Sequence, residues 1–459
     1  MIITYQPQLK TKQNKDKKNI RILITLFFAV VLAKFLSIIF FNYGPQISPD
    51  EICILETAKY FAEYFKVVEC KDILNGPYFS PPIFHTIAYG FIAHIVDNIN
   101  LYKAVSIFNL LLGISTIFPL YYIAKYITKK NTLSLGIALI IFIAPQFFTY
   151  EKTVMTEMSF LTTCLWTLSF YIKSLEKGQT KHKIISIILS ILAVFMRPYG
   201  FILPLSILAN EFFRSKRKLI LTLIGTILVV IAMKVEPAIL DSILSFSSAF
   251  QSPENLMALV SSILKSINSL SIATLSLPLI ILITNFKSTN KNFHKIKYFV
   301  FIFIILNLII VTNHLFGHQI RHNISLGISM RYLSVSVVLT LLLGISLLFE
   351  KGSHNFKKGG VITCITIFGM LFLFNDKPYR ISMIEELSHI YIPLLDPFFP
   401  KAFGLTALFL ITLHLFEKKQ ILLYCIAAIL LFHTVAGSVV IFNQKYGYYP
   451  DNPFFQNFD

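Results

Sequence analysis

Long apolar runs separated by short polar knots recur along almost the whole chain. A helix rising 1.5 Å per residue needs about 20 apolar residues to cross a hydrocarbon core of about 30 Å. Read this way, the pattern predicts an all-α polytopic membrane protein with about 13 transmembrane helices. They fall near 20–41, 104–126, 131–149, 159–175, 184–197, 199–213, 219–234, 270–286, 298–313, 332–349, 361–375, 402–416 and 421–442. The first run follows the basic stretch LKTKQNKDKKNIR, is long and uninterrupted, and has no small-residue cleavage site after it. It reads as a retained helix rather than a signal peptide.

Composition agrees. Of 459 residues, 55% are hydrophobic and 14% charged, against about 25% charged in an ordinary soluble domain. The mean hydropathy is +0.68. A soluble enzyme and a disordered chain are both excluded, since disorder needs low hydrophobicity and high charge. The five cysteines make no CxxC or zinc-finger spacing, and there is no P-loop, dinucleotide fingerprint or HExxH.

The net charge of +18 would suggest nucleic acid in a soluble protein. Here topology explains it. With the N-terminus in the cytoplasm and one crossing per run, 26 of the 41 Lys and Arg fall on cytoplasmic segments, with only five of the 23 acids. That is the positive-inside pattern. The apolar segment 78–97 is long enough to cross, but crossing would put every later Lys knot outside. It is therefore expected as a juxtamembrane or re-entrant helix packed on protein.

This topology leaves outer segments at 42–103, 150–158, 235–269, 314–331, 376–401 and 443–459. Polar residues are costly in a membrane protein, so their clustering points to function. Asp50 and Glu51 directly follow the first span, after Pro49. Pro and acids in a first turn suit a helix N-terminus, so Asp50 reads either as a helix-end charge or as a functional group. Glu157 opens the fourth span, six residues after Glu151, and shares a membrane face with Asp50. Two carboxylates at one water–lipid boundary can serve as a base and its orienting partner.

Asp50-Glu51, the amphipathic LETAKYFAEYF and then GPYFSPPIFH resemble the first module of the C-fold (GT-C) membrane glycosyltransferases. The nearest branch is the aminoarabinose-transferase and protein O-mannosyltransferase type. TVMTEMSF is similar to that family's acidic motif in the second outer loop; RPYG at 197–200 and MRYLSV at 330–335 are weaker parallels. The resemblance implies residues 1–213 as a catalytic module and 214–459 as a variable transmembrane module, with no soluble domain. It implies juxtamembrane helices in the first outer loop, and an inverting transfer of a sugar from a polyprenyl-phosphate donor to a lipid, glycan or protein acceptor. The reaction would lie at the extracytoplasmic face of the plasma membrane. Asp50 would be the general base and Glu157 its acidic partner. Arg197 and Arg331, at expected outer helix ends, would meet the leaving lipid phosphate, for which the planar guanidinium fork is suited. Glu51, His85, Tyr332 and Lys152 are the further binding candidates. No cofactor is implied firmly; a divalent metal stays open.

Other features leave alternatives. His314, His318 and His322 stand at spacing four, which on a helix is one face and a metal-like spacing. Gly317 weakens a helix there and no carboxylate is adjacent, so interfacial positions or sugar and phosphate contacts are favoured. Cys53 and Cys70 lie in one outward loop, where a disulfide is open. Segment 235–269 is Ser-rich and amphipathic and is expected as a mobile outer loop. Lys34, inside the first span, is expected to snorkel or pair. Two competing functions are a lipid-linked glycan polymerase or ligase, and a transporter or flippase. A transporter would place polar residues near the midplane in broken helices.

Overall fold

In the computed structural model of the protein, residues 6–41, 49–73, 82–214, 248–287, 290–322, 331–349 and 419–447 are described, together with Leu410. Among them there is no strand, and every regular element is helical. Helices α1 (Gln6–Phe41), α2 (Pro49–Tyr64), α3 (Ile83–Ile95), α4 (Asn98–Ser115) and α5 (Ile117–Thr128) come first. Then follow α6 (Asn131–Phe142), α7 (Pro145–Tyr150), α8 (Glu157–Lys177), α9 (Thr180–Met196) and α10 (Ile202–Arg214). The second half holds α11 (Pro253–Ala273), α12 (Leu277–Thr284), α13 (Lys291–His322), α14 (Ser334–Leu348) and α15 (Lys419–Gly447).

Among the described residues, three stretches are long and apolar enough to cross a membrane: Asp16–Phe40, Asn100–Thr128 and Lys291–Gly317. Shorter apolar helices are Ile83–Ile95, Asn131–Phe142, Ser334–Leu348 and Lys419–Phe432. The expected spans 219–234, 361–375 and 402–416 lie outside the described residues, apart from Leu410. At 13 residues, α3 rises only about 20 Å, too short to cross upright, and it packs against α2.

At the centre sits α14, every residue of which is buried. A helix apolar all round belongs in a core, and α14 is enclosed mainly by α5, α6 and α12. Gly344 lets the chain of α12 come close, since a Cβ there would collide with the Pro278 carbonyl. The same apolar cluster draws on both halves of the chain, from Ile117 to Leu430. Outward, α1 presents Ile22, Leu26, Phe28, Leu32 and Phe40, and α9 presents Ile184, Ile188, Ile191 and Phe195. In water such faces would aggregate; against lipid they are at home.

Four expectations are corrected. The run 131–149 is not one span: it breaks between Phe142 and Pro145, where proline lacks the N–H that a continuing helix would need. The run 270–286 breaks between α11 and α12, at Leu275 and Ser276, both in the left-handed region (φ 54° and 58°). Segment 235–269 is a regular helix from Pro253 onward, with residues 215–247 outside the described part. The outer loop placed at 314–331 is helical as far as His322. Gly317 costs that helix about 1 kcal/mol, which burial of Leu315 and Phe316 offsets; Phe316 packs on Ala258 and Leu259 of α11.

Candidate active site

The site is built around residues 151–156, a turn between α7 and α8 that makes no regular secondary structure. Backbone groups buried without partners would each cost free energy, and here side chains supply the partners. The Glu51 carboxylate accepts the Val154 N–H at 2.8 Å and the Tyr102 hydroxyl at 3.1 Å. Tyr102 also donates to the Lys152 carbonyl at 3.0 Å, and Ser106 reaches the same carbonyl at 3.3 Å. Asn109 donates to the Thr153 carbonyl at 2.8 Å, and Tyr89 to the Met155 carbonyl at 3.3 Å and to Asn109 Oδ1 at 3.1 Å. One side chain from α2, one from α3 and three from α4 thus hold four consecutive residues of the turn.

From that turn α8 starts at Glu157, whose charge suits the positive end of the helix dipole. Glu157 is fully buried and forms an ion pair with Arg197, at 2.7 Å between nitrogen and oxygen; Arg197 is only 3% exposed. The guanidinium carbon lies 4.5 Å from the Tyr199 ring centre and 5.3 Å from that of Tyr332, within cation–π range. Tyr332 packs on His314 at 4.7 Å between ring centres. Glu157, Arg197 and Tyr332 therefore come together as one cluster. Arg197 reaches it because the chain leaves α9 in an extended conformation there, before a short 3-10 turn at Pro198–Phe201.

His85 is buried against α8, with Nε2 bonded to the Ser159 hydroxyl, and its ring packs on Tyr89 at 5.4 Å. Burial pushes its pKa down from 6.5 to about 3, against the pull of the Glu157 carboxylate, while the Arg197 charge adds to the depression. Folded His85 is neutral, whereas the unfolded chain binds a proton below about pH 6.5. The stability it confers is thus full above pH 6.5 and is lost as the pH falls. Between pH 6.5 and 5.0 the loss is about 2 kcal/mol, at about 1.4 kcal/mol per pH unit. Thermal unfolding in detergent should show this decline in wild type and a flatter profile in His85→Gln. Parallel profiles would refute it.

Lys152 is half-buried with its ammonium 4.0 Å from the Phe148 ring centre. Asp50 is the second residue of α2, next to Glu51; its side chain, like that of Arg331, lies outside the described residues, and so do those of His318 and His322. Among the described residues no group of three His, Cys, Asp or Glu could hold a metal ion. Cys53 and Cys70 are joined in a disulfide, with 5.6 Å between their Cα atoms. Nothing local marks Tyr102, Ser106, Asn109 or Ser159 as members, because each reads as an ordinary polar residue within an apolar helix.

Residues 81–239 match a family described as dolichyl-phosphate-mannose-protein mannosyltransferase. The matched stretch holds His85, Lys152, Glu157 and Arg197, and begins after Asp50 and Glu51. The resemblance to the C-fold membrane glycosyltransferases is borne out over this stretch. No curated protein matches the chain. Similar solved structures include two of ArnT from Cupriavidus metallidurans: one bound to undecaprenyl phosphate and one in the apo state. Each is 13% identical to this chain, with a TM-score of 0.48, and covers 92% of it; the chain covers 77% and 76% of the two.

Proposed function

We propose that the protein is a membrane glycosyltransferase that moves a sugar from a polyprenyl-phosphate donor to a lipid, glycan or protein acceptor at the extracytoplasmic face. The observation that carries this is the Glu51–Val154 hydrogen bond. It joins the acidic start of α2 to the turn leading into Glu157, beside a stretch matching a family named for a dolichyl-phosphate sugar. Charge asymmetry and the Cys53–Cys70 disulfide support the outward face, since disulfides persist in oxidising compartments.

Asp50 is the general base. It takes the proton from the acceptor hydroxyl or amine as that atom attacks the anomeric carbon and the bond to the lipid phosphate breaks, with inversion. Glu51 fixes the turn and Glu157 orders the head of α8. The departing phosphate gains negative charge, and preorganised cations are the effective way to stabilise it. Arg331 is one such cation. Arg197, closed on Glu157, can serve as a second because its fork has five N–H donors and can bridge a carboxylate and a phosphate. Residues 1–213 form the catalytic module; Tyr332, from the later half, closes over Arg197.

The test is a donor screen. Purified full-length protein is given polyprenyl-phosphate sugars and candidate acceptors, and release of the lipid phosphate is followed. Turnover with at least one donor supports the reading; hydrolysis and transfer absent across hexosyl and pentosyl donors would overturn it.

A further inference from the structure

The break between α6 and α7 carries a buried ion pair that the reaction does not use directly. Within a bilayer, carbonyls freed by a broken helix must be satisfied inside the protein. Two side chains from distant parts of the chain do this. Lys34 of α1 donates to the Phe142 carbonyl at 2.9 Å, and Thr434 of α15 donates to the Ile143 carbonyl at 2.9 Å. Lys34 also meets Glu151 at 2.9 Å, with both side chains almost completely buried. Its ammonium stands 3.7 Å from the Phe142 ring centre.

Glu151 is the first residue of the turn held by Glu51. Room for its carboxylate comes from α4, where a Cβ on Gly113 would lie 2.9 Å from Glu151 Cδ and closer still to its oxygen. A buried ion pair adds little net stability compared with well-packed apolar residues, because desolvating two charges offsets their attraction. Its retention here, between a helix break and a turn, suits a role in geometry.

We propose that Lys34 and Glu151 are positioning residues: they clamp the α6–α7 break and thereby hold the 151–156 turn between Glu51 and the head of α8 at Glu157. This rests on the transferase reading above for its kinetic consequence, though not for its structural one. Lys34→Met/Glu151→Met removes both charges and leaves no buried ion unpaired. Its melting temperature in detergent should fall only modestly, because the Phe142 carbonyl loses its Lys34 donor but no unpaired charge is left behind. Its kcat should fall about 10- to 100-fold, the cost of a misplaced reacting geometry, with the donor KM little changed. Lys34→Arg, which keeps both donors, should recover most of the rate.

Two further measurements keep the inference testable if the double variant does not fold. Gly113→Ala displaces the Glu151 carboxylate without removing any charge, and should lower kcat in the same way. Val154→Cys, in a Cys364→Ser/Cys425→Ser background that leaves only the buried Cys164 as a free native thiol, reports the turn without any assay of activity. A maleimide should label it slowly when Lys34 is present and several-fold faster with Lys34→Met or Gly113→Ala. If wild type transfers no sugar, the transferase reading falls and labelling alone decides the clamp. Unchanged labelling, or a double variant with wild-type kcat, would overturn the clamp.

Discussion

Asp50→Asn should leave the protein folded and lower kcat by about 10²–10⁴-fold, the range expected when a general base is removed. The amide matches the carboxylate in shape but cannot accept the acceptor's proton. The structural cost is small, because the interaction of an acid in a first helical turn with the helix dipole is worth about 0.3–1 kcal/mol. Next to it, Glu51 keeps its bonds to Val154 and Tyr102, so the turn stays tied to α2. Lipid-phosphate release and the melting temperature, measured on the same preparation, separate the two effects. Near-wild-type turnover would remove Asp50 as the base. Cysteine accessibility placing residue 50 on the cytoplasmic side would remove the outward site altogether.

Arg197→Met should be the most destabilising of the charge changes, at about 3–5 kcal/mol, because it removes the cation that faces the buried Glu157 carboxylate. Glu157 has no exposed surface through which water could compensate. In Arg197→Met/Glu157→Met the ion is gone, and most of that stability should return, as expected for directly coupled residues. Activity should not return, since neither the carboxylate nor a bridging cation remains. Thermal unfolding of the two single variants and the double variant forms a complete cycle. A single variant as stable as wild type would mean that the 2.7 Å contact is not a coupled pair.

The neighbourhood of the site was legible from residues that are expensive in a membrane chain: Asp50, Glu51, Glu157 and Arg197 stand out against a background poor in charge. What holds them was not legible. The turn at 151–156 is fastened by Tyr89, Tyr102, Ser106 and Asn109, and no local pattern says which backbone group a helical Tyr or Asn will reach. The helix breaks divide in the same way. Pro145 is a visible signal, masked by an apolar run that continues through it; Leu275 and Ser276 carry no local sign at all. From Pro253 onward the Ser-rich stretch expected as a loop is α11, whose Ser262 and Ser266 hydroxyls donate back to the Ala258 and Ser262 carbonyls. Serines that satisfy themselves within one turn can sit in a buried helix, so composition alone misleads there.

The Cys53–Cys70 bond also bears on how the protein is made. Cys53 lies three residues beyond Asp50 in α2, and its partner belongs to the short turn Cys70–Asp72 after that helix. A newly synthesised chain acquires this link only in a compartment that oxidises thiols. On the proposed function, maturation of the helix that carries the proposed base, Asp50, is thereby tied to delivery of the first loop across the membrane, and a copy retained among cytosolic reductants would lack the tether.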